Sequence, residues 1–429
     1  MMQRRQFVST VAAGSALGSL GLISGCATPM AGGSGPHVVV VGGGYGGATA
    51  AKYTRLFSEG KVRVTLIEPN AQFYSCPISN LVVGGIKQMA DITIPYENLE
   101  KRHGVKIVRD RATAIDADKR VVKLAGGGEI SYDRLIVSPG IDFMWETLPG
   151  MNTPGAKDKV LHAWKAGPQT VALRQQLEAM PDGGVYALSI PQAPYRCPPG
   201  PYERACMVAH YFKKAKPKSK VILFDANDDI QSKKALFLKA WEEHYKGIIE
   251  YRPKHRVVDV DVATNTLKFE FNDDFKGTVL NVVPNMRAGD IAVQTGLATA
   301  NKRWCDVDFL THESVAVKNI HVLGDAIQIA PAMPKSGHMA NQHGKTCAAA
   351  VVSLLMGKEP PKMPLYANTC YSFVTDEEVV HVASVHRYDP EKKTMLTVPG
   401  SGGVSARASE LEARYALAWA NNIWADTLA

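Results

Sequence analysis

The sequence predicts an α/β protein with two Rossmann-like dinucleotide-binding domains and a smaller α+β C-terminal domain. A β-branched run at residues 37–41 precedes a glycine-rich turn and an alanine-rich stretch, the order of strand, turn and helix in such a domain. The same order recurs later in the chain, where a strand at residues 185–190 precedes another turn and helix. After residue 364, strand-like segments at 379–384 and 394–398 precede a helix at 408–424, which indicates the mixed C-terminal domain.

Length and composition set broad limits on function. At 429 residues the chain is long enough for two or three domains, and 45% hydrophobic with 21% charged residues is ordinary for a globular protein. The net charge of +8 is modest, and the lysines and arginines are spread along the chain. Because no basic run is interleaved with aromatic residues, we expect no nucleic-acid binding.

Residues 1–35 are predicted to be a targeting segment rather than part of the fold. Arg4 and Arg5 precede a weakly apolar run from Val11 to Ile23, a pattern typical of a twin-arginine export signal. We therefore expect a periplasmic location, where disulfides persist. Cys26 follows Ile-Ser-Gly, as in a lipobox, which would add a lipid tether to a membrane. The alternative is a small-residue cleavage region that happens to contain a cysteine.

Glycines and an acid predict a dinucleotide site in the first domain. Gly42, Gly44 and Gly47 have the spacing G-x-G-x-x-G, which permits a tight turn and lets a pyrophosphate approach a helix N-terminus. Glu68 ends the next strand, where an acid accepts hydrogen bonds from a ribose hydroxyl and disfavours a 2′-phosphate. A purely structural turn is the weaker alternative, because strand, glycines, helix, strand and acid occur in the required order.

We expect the first domain to be discontinuous, formed by residues 36–150 and 285–362. A strand at residues 319–323 ends in Gly324 and Asp325. An aspartate at the carboxyl end of such a strand can bind a ribityl or ribose hydroxyl. Both residues are therefore predicted to contact the cofactor.

Residues 151–284 are predicted to form the second Rossmann-like domain, which lacks a nucleotide fingerprint. Pro191 and Pro194 follow its first strand where glycines would be expected, and proline has no N–H to donate to a pyrophosphate. We therefore expect this domain to keep the Rossmann shape without binding NAD(P)H. Residues 363–429 form the predicted C-terminal domain, a candidate interface with a partner or a second copy.

The chemistry is expected at Cys197, in a proline-rich loop just before a predicted helix. A cysteine at a helix N-terminus meets the positive end of the helix dipole, which favours its thiolate. Glu203, on the first turn of that helix, is within reach as a proton acceptor. An inert buried cysteine is the alternative. Cys76 follows Glu68 closely enough to lie near the isoalloxazine end of a bound FAD, or equally to be a small buried residue beside it.

The chain has seven cysteines, and none lies in a Cys-x-x-Cys, haem-attachment or zinc pattern, so neither haem nor metal is predicted. Cys206 and Cys347 lie in apolar helical contexts and are expected to be inert, and Cys305 is ambiguous. Cys197 and Cys370 remain as candidates for a redox pair. The sequence does not give their connectivity.

With these motifs the chain resembles the flavoprotein subunit of flavocytochrome c sulfide dehydrogenases, which are relatives of sulfide:quinone oxidoreductases within the glutathione-reductase-like flavoproteins. The resemblance covers nearly the whole chain after the leader. It rests on the segments VVVVGGGYGGATAAKY, TLIEPN, HAWKAG, RCPPGPYERA, MPKSG, NTCYS and WANNI. RCPPGPYERA and NTCYS are the most specific of them.

The resemblance implies the site. Residues matching Cys76 carry FAD through a thioether to the 8α-methyl, and those matching Cys197 and Cys370 form a redox-active disulfide. The residue matching Glu203 has a proton-transfer role. Hydrogen sulfide would open the disulfide, and electrons would pass through FAD to a separate c-type cytochrome subunit. Lys335 and the helix that follows it are candidates for the positive charge that stabilises a reduced, anionic flavin.

Two other functions stay open. A sulfide:quinone oxidoreductase would need an apolar quinone channel and usually a membrane-seating C-terminal region, which the final predicted helix does not clearly provide. A non-catalytic flavin-bearing scaffold, with its enzymology in a partner, is the more remote alternative.

Overall fold

The computed structural model describes residues 35–429. The predicted export signal with Arg4, Arg5 and Cys26 lies outside the described residues. Within residues 35–429, no helix combines the length and apolar character needed to cross a membrane.

The first part of the chain alternates strands and helices around a parallel sheet. Its elements are β1 (His37–Val41), α1 (Tyr45–Phe57), β2 (Arg63–Ile67), β3 (Gln72–Tyr74), α2 (Ser79–Val83), β4 (Thr93–Pro95), α3 (Glu97–Lys101), β5 (Lys106–Val108), β6 (Ala112–Asp116), β7 (Val121–Leu124), β8 (Glu129–Ser131), β9 (Arg134–Val137) and β10 (Ile141–Phe143).

The second part repeats this alternation. Its elements are α4 (Ala156–Lys159), α5 (Pro168–Ala179), β11 (Val185–Ile190), α6 (Gly200–Ala215), β12 (Lys220–Asp225), α7 (Lys234–His244), β13 (Ile249–Arg252), β14 (Val257–Asp261), β15 (Thr266–Phe269), β16 (Phe275–Lys276) and β17 (Val279–Val282).

The remaining elements return to the first sheet and then form an antiparallel one. They are β18 (Met286–Ala288), α8 (Asp290–Gln294), β19 (Ile320–Val322), α9 (Gly337–Leu355), β20 (Leu365–Phe373), β21 (Val379–Asp389), β22 (Thr394–Thr397), β23 (Gly403–Val404) and α10 (Glu410–Leu428).

Two parallel sheets organise the molecule. The first has the order β19-β9-β1-β2-β5 and the second the order β13-β12-β11-β17. Because β19 pairs with β9, the chain returns to the first sheet after passing through the second. Strands β20, β21 and β22, with β23 on β21, form the C-terminal sheet. The α/β class with two Rossmann-like sheets and a smaller α+β region is thus confirmed, and the exact domain boundaries at residues 150, 284 and 362 stay a prediction.

The sequence dictates the turn after β1. All four valines of β1 are buried, so the strand is held in the core on both faces. Gly42 has φ +95°, and a Cβ there would lie 2.3 Å from the carbonyl oxygen of Ser138. A Cβ on Gly47 would lie 1.8 Å from the carbonyl oxygen of Gly42. Only glycines let α1 pack this closely against the strand it follows.

Candidate active site

A cavity of about 760 Å³ lies at the carboxyl end of the first parallel sheet, and the loop after β11 and strand β20 contribute to its lining. Ligands bind at this end of such sheets, because the loops there carry the exposed polar groups. Most of the predicted site residues line the cavity, namely Gly42, Gly44, Glu68, Cys76, Cys197, Glu203, Gly324, Asp325 and Cys370. Gly47 and Lys335 are not among the lining residues.

The glycine turn shapes one end of the cavity. The carboxylate of Glu68 accepts a hydrogen bond from the backbone N–H of Gly43 (2.7 Å) through Oε2. Its Oε1 accepts from the backbone and side chain of Asn70 at 2.8 and 2.7 Å. Helix α1 begins right after Gly44, where an added Cβ would meet no atom of residues 35–429 within 4 Å. The first turn of α1 is therefore open to an anion such as a pyrophosphate.

Asp325 supplies a buried acceptor without a donor. Within residues 35–429, its Oδ1 atom is buried and has no hydrogen-bond partner. Burial raises the pKa of this carboxyl, and the neighbouring Arg196 and Lys335 act in the opposite direction. A buried polar atom left unpaired is costly, so its position in the cavity lining fits a ligand hydroxyl that donates to it.

Cys76 lies in the same cavity, just before α2. Its Sγ accepts a hydrogen bond from the backbone N–H of Ala166 at 3.4 Å. Arg196 also lines the cavity, and its guanidinium donates to the carbonyl oxygen of Trp164. Burial lowers the pKa of Arg196, but the nearby Cys76 and Asp325 raise it above its ordinary value. The cavity thus contains a partly buried, permanently charged cation close to both residues.

Cys197 does not have the environment that the sequence predicted. Its backbone has φ +61°, and its carbonyl accepts from the N–H of Gly200, where α6 begins. The thiol is therefore outside the first turn of the helix, where the dipole effect fades. Burial, followed by Cys370 and Glu203, raises the pKa of Cys197 to about 12. Burial therefore opposes the thiolate that the sequence predicted for Cys197, and that thiolate stays a prediction.

Cys370 lies on β20 and approaches the same part of the cavity. Within residues 35–429, the thiols of Cys197 and Cys370 are free, and each is only partly exposed. The side-chain N–H of Asn368 donates to Cys370 Sγ at 3.4 Å. Burial raises the pKa of Cys370, while Asn368, Lys233 and Ser336 lower it. Gly200 gives the Cys197 thiol its space, because a Cβ there would lie 2.9 Å from Sγ.

Glu203 connects three parts of the chain in the cavity wall. Its Oε1 accepts from the backbone N–H of Phe373 (2.9 Å) on β20, and its Oε2 accepts from the side chain of Asn80 (2.7 Å) on α2. Burial raises the pKa of Glu203 despite these donors. A carboxyl whose pKa moves toward neutrality can exchange protons with a substrate near physiological pH.

Lys335, the predicted source of positive charge beside a reduced flavin, lies outside the cavity lining. Its ammonium donates to the carbonyl oxygens of Asp325 (2.9 Å) and Ile327 (2.6 Å), and lies 3.6 Å from the ring centroid of Trp304. Burial lowers its pKa to about 7. The lysine therefore fastens the loop after β19 rather than lining the cavity. Arg196 is one of the cations in the cavity lining that sequence reasoning missed, although it precedes Cys197 directly.

The acid that ends strand β12 of the second sheet is already hydrogen-bonded within the protein. Asp225, at the end of β12, accepts hydrogen bonds from the hydroxyls of Tyr202 (2.7 Å) and Tyr251 (3.0 Å). Its Oδ1 also accepts from the backbone and side chain of Asn227. These four internal donors fill the acceptor positions of the Asp225 carboxylate, whereas Glu68 accepts only three. The loss of NAD(P)H binding stays a prediction.

The other three cysteines of residues 35–429 lie in the core. Cys206, Cys305 and Cys347 are fully buried, which agrees with the inert role expected for Cys206 and Cys347. In the described part of the chain, no group of three or more His, Cys, Asp or Glu side chains could hold a metal ion.

Three family models match the chain. The model of the pyridine nucleotide-disulphide oxidoreductases matches residues 36–189. The model of the central part of the sulfide dehydrogenase [flavocytochrome c] flavoprotein chain matches residues 170–284. The flavin-binding model of flavocytochrome c sulphide dehydrogenase matches residues 362–428.

Known proteins agree with these models. Mitochondrial sulfide:quinone oxidoreductase of Mus musculus is 26% identical over 331 residues, which cover 72% of this chain and 69% of the relative. The sulfide dehydrogenase [flavocytochrome c] flavoprotein chain of Chlorobaculum thiosulfatiphilum is 56% identical over 46 residues, 11% of this chain and 94% of that sequence. The crystal structure of sulfide:quinone oxidoreductase from Aquifex aeolicus has a TM-score of 0.73 at 18% identity and covers 91% of both chains.

Two Rossmann-like sheets, a glycine turn and a cavity lined by cysteines define a flavoprotein of the pyridine nucleotide-disulphide oxidoreductase class. Within that class, the chain belongs to the family of flavocytochrome c sulfide dehydrogenase flavoprotein chains, a family of sulfide-oxidising flavoproteins. The resemblance predicted from the sequence motifs is confirmed.

Proposed function

We propose that the protein oxidises hydrogen sulfide with a disulfide formed by Cys197 and Cys370, and that the electrons pass through FAD to a c-type cytochrome subunit. One observation carries the proposal: both thiols and Glu203 line the same cavity as the glycine turn and Asp325. The family to which the chain belongs supports sulfide as the substrate and a flavin as the cofactor.

The cavity suits an FAD. The open N-terminus of α1 suits the pyrophosphate, the unpaired Oδ1 of Asp325 suits a ribityl hydroxyl, and Cys76 is the candidate for a thioether. Gly324, with φ +75°, keeps the backbone beside Asp325 close to the cavity. When bound, the flavin accepts an electron pair and passes it on as single electrons.

The protein's own residues handle the sulfur and the proton. A sulfide sulfur attacks one cysteine sulfur, so a new S–S bond forms and the Cys197–Cys370 bond breaks, leaving a persulfide on one cysteine and a thiolate on the other. The sulfide sulfur is oxidised and the cysteine pair is reduced. Glu203, in its carboxylate form, accepts the proton that the attacking sulfide loses.

A cytochrome is favoured over NAD(P)⁺ as the electron acceptor, because Asp225 is occupied by Tyr202 and Tyr251. The family's flavocytochrome name supports the same acceptor. The likeness to sulfide:quinone oxidoreductases favours a quinone as the second candidate. Purification under mild conditions distinguishes them: a c-type cytochrome that co-purifies and is reduced by sulfide supports the first, and turnover with a soluble quinone alone supports the second.

Cysteine replacement tests the proposal. We expect Cys197→Ser and Cys370→Ser each to abolish sulfide-dependent electron transfer while flavin stays bound. Cys347→Ala, which alters a fully buried cysteine on α9, is the control and should keep the activity. Unchanged sulfide oxidation in both serine variants would refute the proposal that a Cys197–Cys370 disulfide oxidises sulfide. It would favour the alternative, a flavin-bearing scaffold whose partner carries out the catalysis.

Export to the periplasm is part of the proposal and rests on Arg4 and Arg5. Replacing both with lysine should retain the protein in the cytoplasm, as measured by cell fractionation. Mass spectrometry of the exported protein tests the lipid tether, since acylation at Cys26 adds the mass of the fatty acyl chains to the N-terminal peptide.

A further inference from the structure

Lys233 is a buried lysine directly behind the cysteine pair. It has φ +56° and is the residue before α7, and its side chain is almost completely buried. Its ammonium donates to the carbonyl oxygen of Cys370 (2.9 Å), to Ser372 Oγ (2.8 Å) and to the carbonyl oxygen of Val380 (3.3 Å). Ser372 and Val380 are paired residues of the antiparallel strands β20 and β21, so the lysine is anchored at one position of this strand pair.

All three of these acceptors are neutral, so they solvate the ammonium without balancing its charge. A buried cation is costly unless an anion is near. The titratable groups that act on Lys233 are Cys370 first, then Glu203 and Cys197, with Glu412 of α10 the weakest. Cys370, Glu203 and Cys197 all line the cavity. The ionisable groups that interact with the Lys233 ammonium are therefore mainly those that line the cavity, the two cysteines among them.

We propose that Lys233 is a positioning residue whose ammonium stabilises the negative charge that appears on the cysteine pair when the Cys197–Cys370 disulfide is opened. This inference rests on the proposed function, because it requires that the two cysteines form a disulfide. Stabilising the thiolate form of the reduced pair makes the disulfide easier to open. Sulfide attack also breaks the Cys197–Cys370 bond and releases a cysteine thiolate. The ammonium of Lys233 stabilises that thiolate and therefore favours the attack.

The ionisation of Lys233 fits this role. Burial lowers its pKa to about 8, while Cys370, Glu203 and Cys197 act to raise it. The ammonium is thus present at neutral pH and is lost above about pH 8. The advantage it gives to disulfide opening should decline over the same range.

Lys52 provides a matched control. Its ammonium also donates to backbone carbonyl oxygens, those of Ala425 (3.0 Å) and Asp426 (3.0 Å) near the end of α10. Asp426 is its main charged neighbour, and none of the groups acting on it is a cysteine. Lys52→Met therefore removes an equally buried lysine with similar hydrogen bonds and leaves the cysteine pair alone.

The experiment uses the full-length flavoprotein, equilibrated without oxygen in dithiothreitol buffers of graded redox ratio, with free thiols counted by alkylation and mass spectrometry. We expect Lys233→Met to need about a tenfold higher ratio of reduced to oxidised dithiothreitol to open half of the disulfide, as removal of one nearby opposite charge would cause. The thiols of the reduced pair should also begin to react with iodoacetamide at higher pH. Lys52→Met should match the wild type in both measurements.

Lys233→Gln separates charge from anchoring, since its amide can donate to Cys370 and Ser372 without a charge and keeps the variant folded if Lys233→Met is unstable. If Lys233→Gln shows the wild-type redox equilibrium and alkylation profile while the wild type forms the disulfide, Lys233 is only a structural anchor and this inference is overturned. If Cys197 and Cys370 of the wild type both remain open to alkylation in fully oxidised buffer, they form no disulfide. Both the proposed function and this inference are then overturned.

Discussion

The backbone N–H of Cys197 donates a hydrogen bond of 2.9 Å to the carbonyl oxygen of Lys335. This bond joins the loop after β11 to the loop before α9, so the cysteine is fixed to the sheet that carries the dinucleotide turn. The same lysine fastens Asp325 through its side chain. Lys335 thus holds both Cys197 and Asp325, the predicted flavin-binding residue, through its hydrogen bonds.

Asp325 should be required for flavin retention. Replacing it with alanine removes the acceptor that we assign to a ribityl hydroxyl, and loss of one charged hydrogen bond weakens binding by about tenfold to a hundredfold. The measurement is the ratio of flavin to protein absorbance after gel filtration of a variant that is not covalently loaded, with Cys76→Ala as the background. Asp273→Asn, at an exposed position, is the control. Wild-type flavin content in Asp325→Ala would remove this residue from the site.

Cys76 should carry the flavin covalently. Acid precipitation of the wild type should leave the flavin with the protein, and Cys76→Ala should release it into the supernatant. A mass increase equal to that of FAD on the peptide containing Cys76 is the independent check. Complete release of flavin from the wild type would show that Cys76 is only a neighbour of the cofactor.

Glu203 should determine how sulfide reactivity depends on pH. Its pKa is raised by burial, so below that value it is protonated and accepts no proton. Reactivity of the wild type should rise with pH through the pKa of Glu203, and Glu203→Gln should lose this dependence together with about a hundredfold in rate. Rapid-mixing kinetics of the variant relative to the wild type at each pH cancel the ionisation of sulfide itself.

The raised pKa of Glu203 also predicts how the stability of the protein changes with pH. Because the folded-state pKa of Glu203 lies above its unfolded value, the folded protein binds an extra proton between the two values. The contribution is fully present below the unfolded pKa and is lost as pH rises through the folded one. In Glu203→Gln, the unfolding temperature should not show this decrease as the pH rises. A parallel pH dependence in variant and wild type would assign the effect to another group.

Much of the dinucleotide site could be predicted because it depends on local order. A strand, a glycine turn and a helix fix where Gly42, Gly44 and Glu68 lie, and the end of a parallel strand fixes Asp325. The cysteine pair could be predicted by its motifs, but its ionisation could not. That depends on how deeply the fold buries the thiol.

The charges around the site could not be predicted for a related reason. Lys335 and Arg196 lie in the motif segments MPKSG and RCPPGPYERA. Only the packing against Trp304 and the carbonyl oxygens of the loop decides that the lysine turns away from the cavity. Lys233 is separated from Cys370 by 137 positions, and only the sheet brings them together.

Arg196 and Lys335 can be compared directly. If Arg196 is the cation that stabilises a reduced, anionic flavin, Arg196→Met should lower the midpoint potential of the bound flavin, because the reduced form loses a nearby opposite charge. Lys335→Met should lower the unfolding temperature and leave the potential close to that of the wild type. Redox titration with indicator dyes measures the first quantity and thermal unfolding the second. The reverse pattern would restore the role that the sequence gave to Lys335.

The central claim is that sulfide reduces the flavin through the Cys197–Cys370 disulfide, and an anaerobic titration of the purified protein with sulfide tests it most directly. We expect stepwise loss of the main visible absorption band of the oxidised flavin in the wild type, with a long-wavelength charge-transfer band, and no loss in Cys197→Ser. The account is contradicted if sulfide leaves the oxidised flavin of the wild type unchanged while dithionite reduces it.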